Sequence, residues 1–121
     1  MAHDIWVSID FDGVISTYDG WKGFDILGEP IKEVKEALIL MKERGYKIVI
    51  FTTRLDTPVL RMWLKKYEIP FDSVNSTAHN PPHTSNKPIA HVIIDDRAIC
   101  YQGQRADTLM KQIDLLLNKE L

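Results

Sequence analysis

The chain has 121 residues, enough for one domain with a real core and too few for two comfortable ones. Its formal charge of −2 divides into −3 over residues 1–60 and +1 over the rest, so no basic or acidic tail advertises a nucleic-acid or membrane surface. Cys100 is the single cysteine, which excludes an internal disulfide and a cysteine-based zinc site, and apolar runs such as "ALILM" are far too short to span a bilayer.

In chain order, no basic, apolar leader accompanies Asp4, and the expectation is a cytoplasmic protein without a membrane partner. "IWVSID", Ile5 to Asp10, is apolar and β-branched and predicts a first strand. It runs into Asp10 and Asp12, with Phe11 between them. Residues i and i+2 of a strand face the same way, so these carboxylates would repel unless something positive lies between them. Pro30 suits a first helical turn, after which Ile31, Val34, Leu38 and Met41 keep a helical stripe until Gly45 offers a cap. "KIVIFTT", Lys47 to Thr53, predicts a second buried strand. Thr57 and Pro58 read as cap and first turn of a second helix, with Val59, Met62, Trp63 and Tyr67 inward. "FDSV", Phe71 to Val74, predicts a short third strand, "HVIID", His91 to Asp95, a fourth, and Ile99 to Tyr101 a short fifth. A last helix from about Gln104 turns Leu109, Ile113, Leu116 and Leu117 inward. Strands alternating with helices predict an α/β fold: one doubly wound, mostly parallel sheet.

Ligands of such sheets sit beyond the carboxyl ends of the strands, where strand order reverses. Strand one ends in Asp10 and Asp12, strand two in Thr52, Thr53 and Arg54, and strand four in Asp95 and Asp96. Polar residues collect at strand ends simply because loops begin there, but three coincident ends make that account poor. Hard oxygen ligands with few protein contacts suit magnesium, which keeps waters and accepts phosphate as a further ligand. Magnesium is the expected partner of Asp10 and Asp12, shared with Asp95.

"DFDGV" at Asp10 to Val14, Thr52 ending strand two, Lys87 and "IIDD" at Ile93 to Asp96 together resemble the four motifs of the haloacid dehalogenase-like superfamily. The resemblance runs from about Trp6 to Arg97, in motif order. "IVIFTTR" and "IIDDRA" look closest to its small, capless members. The resemblance implies a Rossmann-like sheet and a magnesium-dependent phosphatase acting through an aspartyl-phosphate. Asp10 would be the nucleophile and a metal ligand, and Asp12 the acid and then the base. Thr52 would hold a phosphoryl oxygen with Thr53, Arg54 and Lys87 nearby. Members with an acid at the place of Asp12 are mostly phosphatases and phosphomutases.

Lys87 is the one basic residue between Lys66 and Asp95, but Pro88 after it disfavours the helical start that the family places there. His79 and His83 are spaced i, i+4, yet Pro81 and Pro82 between them argue against a shared helix. His91 reads as structural in an interior strand, Arg54 and Arg97 as substrate contacts or salt bridges, Asp96 as a water-ordering or capping carboxylate. Cys100 reads as a small core residue. Residues 13 to 29 allow a flap, not a cap domain. Its Tyr18, Trp21 and Phe24 either pack as a local cluster or stack on a substrate ring.

A module that keeps the pocket without turnover is the alternative. A phosphoacceptor receiver domain fails on motif order, because no aspartate ends strand three. The partner is a phosphorylated substrate: nucleotide, sugar phosphate, 3′-phosphorylated nucleic acid and phosphoprotein all satisfy the motifs. A homo-oligomer would close an open site.

Overall fold

The computed structural model describes residues 5–23, 26–54, 56–75 and 90–120. Along them run β1 (Trp6–Asp10), α1 (Lys32–Glu43), β2 (Lys47–Phe51), α2 (Pro58–Lys66), β3 (Ser73–Val74), β4 (Val92–Ile94) and α3 (Ala106–Glu120). The strands form one sheet in the order β3-β2-β1-β4, and each neighbouring pair is parallel. The chain steps outward from β1 through β2 to β3, then returns to the far side of β1. Strand order therefore reverses between β1 and β4, the doubly wound arrangement the alternation predicts. Among the described residues no helix is long and apolar enough to cross a membrane.

The register sets Ile94, Ile9, Ile50 and Val74 side by side across all four strands. Being in register, they share a face. Ile9, Ile50 and Val74 are buried there with Leu38 of α1 and Leu60, Trp63 and Leu64 of α2, and Ile94 packs against them. Each such side chain removed from water contributes about 1.5–3 kcal/mol, which is what clamps the two helices to the sheet. Gly45, at φ +81°, ends α1: its N–H donates to Lys42 O at 2.9 Å and that of Tyr46 to Met41 O at 3.0 Å. Those two bonds close the last turn on a left-handed residue, as glycine permits. Thr57 Oγ1 accepts from Leu60 N at 3.3 Å to cap α2, and Pro58 opens it.

Several elements differ from the sequence reading. Pro30 pairs with Ser16 in an antiparallel bridge, and α1 begins at Lys32. The inward face of α2 is Leu60, Trp63, Leu64 and half-buried Tyr67, whereas Met62 is 69% exposed. The apolar residues of that helix fit two overlapping stripes, and burial selects the one that opens at Leu60. Among the described residues His91 introduces an edge strand, not an interior one. Its structural role stands: Nδ1 accepts from Trp6 N at 3.0 Å while its own N–H donates to Trp6 O at 2.9 Å, which locks β4 in register. Residues 99–101 form no strand, and Cys100 is exposed. Helix α3 forms, but it packs closely on none of the four strands. Leu109 and Leu116 are half-buried, and Ile113 and Leu117 stay exposed. Periodicity gives a helix an apolar side without naming what covers it.

Candidate acidic site at the carboxyl edge of the sheet

Phe11 decides where the two aspartates go. Its ring is fully buried and meets Trp63 edge-on, with centroids 5.0 Å apart and planes at 79°. The N–H groups of Val14, Ile15 and Ser16 donate to Phe11 O at 3.3, 3.0 and 2.9 Å, so the chain turns as soon as β1 ends at Asp10. One ring buried in the core thus holds the acidic loop at the sheet edge.

Asp10, Asp95 and Asp96 converge: one carboxylate oxygen of each lies within 4.8 Å of the others. Asp10 Oδ1 accepts from Phe11 N at 2.9 Å, and Asp95 Oδ1 from Arg97 N at 2.7 Å. Gly13 lets Asp96 in, for a Cβ at this residue (φ +88°) would stand 2.5 Å from Asp96 Oδ2. Burial raises the Asp10 carboxyl most, Asp95 and Asp96 raise it further, and only the Phe11 amide lowers it, so it titrates at about 7. Three crowded hard oxygens, one of them on a carboxyl raised by burial and by its neighbours, fit a small divalent cation.

Asp12 is not in that cluster. Arg54 donates to it from both Nε and Nη2, to Oδ2 at 2.9 Å and Oδ1 at 3.1 Å. The positive partner expected for Asp12 is therefore a buried guanidinium, and the third carboxylate beside Asp10 and Asp95 is Asp96. The strand rule does not extend to Asp12, which lies past the end of β1, although both carboxylates line one cleft.

Thr52 is buried, and its Oγ1 accepts from Arg54 N at 3.0 Å, an arrangement in which the hydroxyl proton can serve a phosphoryl oxygen. Thr52 N donates to Asn75 Oδ1 at 2.9 Å. Asn75 was missed by the sequence reading; its position just past β3, at φ +63°, is a signal visible only in the fold. A cleft of about 210 Å³ is lined by Asp10, Asp12, Thr52, Thr53, Asp95 and, from the flap, Tyr18 and Trp21. Arg97 also reaches it. Lys87, His79 and His83 lie outside the described residues.

The flap is pinned at its base by Thr17 N to Glu29 O and Ile31 N to Ile15 O, both 2.8 Å. Gly28 N donates to Ser16 Oγ at 3.1 Å, and Gly28 O accepts from Trp63 Nε1 at 3.0 Å. Arg54 holds its tip: Nη1 donates to Gly23 O at 3.0 Å, Nη2 to Ile26 O at 3.2 Å, and the guanidinium lies 4.7 Å from the centre of the Trp21 ring. A single buried side chain ties flap, Asp12 and cleft together.

The fold and cleft define a parallel α/β protein with an acidic site at its topological switch point. No family model matches the chain, and no curated protein does. Among solved structures it is similar to a conserved protein from Bacteroides thetaiotaomicron, at 21% identity and a TM-score of 0.63, covering 97% of this chain and 93% of that one. A structural-genomics target from Vibrio cholerae shares 22% identity at a TM-score of 0.53, covering 97% and 99%. Both likenesses concern the fold.

Proposed function

We propose that the protein is a magnesium-dependent phosphomonoester hydrolase that works through an aspartyl-phosphate on Asp10. The observation that carries this reading is the convergence of Asp10, Asp95 and Asp96 beside Thr52, at the point where strand order reverses. Asp10, Asp95 and Asp96 are the residues that would hold the ion, which supplies charge neutralisation for a phosphoryl group. Asp10 attacks phosphorus, and the ester oxygen leaves as its bond to phosphorus breaks. Thr52 donates to a phosphoryl oxygen. Asp12 gives a proton to the leaving oxygen, then takes one from the water that opens the acyl phosphate. For the first step Asp12 has to turn one oxygen from Arg54 toward the substrate. The test is phosphate release over a panel of monoesters, with magnesium and with chelator. Release that needs magnesium supports the reading, and none over the whole panel contradicts it.

The engagement of both Asp12 oxygens by Arg54 favours a second reading, a site that binds phosphate esters without turnover. Turnover by the wild-type protein separates the two, and Asp12→Ala then tests the acid role. An acid–base group is worth about 10²–10⁴-fold, so turnover of an alkyl phosphate should fall by that factor and that of an activated aryl phosphate by much less. Equal losses on both esters would remove the acid role.

A further inference from the structure

We propose that the cleft reads a planar ring on the alcohol side of the ester, with Trp21 as the specificity-determining residue; this rests on the phosphatase reading above. Tyr18 and Trp21 line the same 210 Å³ cleft as Asp10 and Thr52, yet they are 36% and 52% exposed. Partly exposed aromatic rings beside a polar reaction centre offer a planar ligand group a surface to stack on. Trp21 is also set in advance. The Arg54 guanidinium stacks on its ring at 4.7 Å, and the same guanidinium is fixed by Asp12, Gly23 O and Ile26 O. A ring held by a buried arginine loses little freedom when a ligand arrives, so stacking on it is gained at low entropic cost.

The cleft of about 210 Å³ holds Asp10, Thr52 and Trp21 together, so a phosphoryl group at the carboxylates and a ring on Trp21 can belong to one ester. Carboxylates and hydroxyls lie at the sheet edge with Phe51 of β2, and Tyr18 and Trp21 come from the flap.

The test compares benzyl phosphate with ethyl phosphate. Both release an alkoxide, so both make the same demand on Asp12, and the ring is the difference. Wild-type protein should show the higher kcat/KM for the benzyl ester. Trp21→Ala should lower the benzyl-to-ethyl ratio about 10- to 100-fold, the range that stacking on an aromatic side chain supplies. Trp21→Phe, which keeps a ring, should retain most of the ratio. Equal kcat/KM for the two esters in wild-type protein, or a ratio that Trp21→Ala leaves unmoved, would overturn the proposal. Should neither ester turn over, calorimetric binding of benzylphosphonate against ethylphosphonate, with magnesium present, gives the answer. Tighter benzylphosphonate binding then keeps the ring subsite, whereas equal binding overturns it; the phosphatase reading stands or falls separately, on release over the whole panel.

Discussion

Asp10→Asn protein is expected to fold normally and to release no measurable phosphate. Asparagine is nearly isosteric but cannot form the acyl phosphate, and loss of a covalent nucleophile costs on the order of 10⁶ in turnover where a hydrolase has been dissected. Stability supplies an independent sign. The Asp10 carboxyl titrates at about 7 in the fold against 3.8 for the ordinary group, so the folded state holds the extra proton between those values. Without metal, stability from this group is complete below about pH 4 and is lost as pH rises toward 7. Asp10→Asn should flatten that slope and raise the melting temperature at neutral pH. Magnesium should stabilise wild-type protein more as pH rises, because it competes with the proton on Asp10. Thermal unfolding over pH 4–8, with and without magnesium, measures both. A wild-type curve as flat as that of Asp10→Asn would contradict the burial of Asp10 and its crowding by Asp95 and Asp96.

Phe11→Ala is expected to be the most damaging core substitution near the site. The ring is fully buried against Trp63 and carries the turn that places Asp10 and Asp12. Removing a buried phenylalanine costs about 3–5 kcal/mol, transfer and cavity together. For a domain of this size that is a fall in melting temperature of roughly 10 °C or more. Activity should fall further than stability explains, since the acidic loop loses its anchor, and Phe11→Leu should recover much of both. A loss under about 1 kcal/mol in urea unfolding would show that Phe11 neither anchors the loop nor fills the core.

Much of the sheet was legible because β1 and β2 are continuous apolar runs, the pattern of strands covered on both faces. The caps at Gly45 and Thr57 were legible because each answers a local backbone need. What lay beyond reach depends on distance in the chain. Arg54 and Asp12 are 42 positions apart, and only the turn begun by Phe11 brings the carboxylate round to the guanidinium. The i, i+2 rule at Asp10 and Asp12 therefore misses that Asp96, and not Asp12, joins Asp10 and Asp95 in the carboxylate cluster. Asp96 was underrated for the same reason: its approach to Asp10 requires the missing Cβ of Gly13, a fact of packing. The phase of α2 was likewise settled by tertiary contact.

The most direct measurement is to trap the phosphoryl group. Protein mixed with magnesium and a ³²P-labelled activated aryl phosphate is quenched in acid, and the labelled peptide is sequenced. Label on Asp10, absent with chelator and absent from Asp10→Asn, is the expected result. Magnesium-dependent phosphate release with no label on Asp10, or with label on another residue, would contradict the nucleophile assigned to this site.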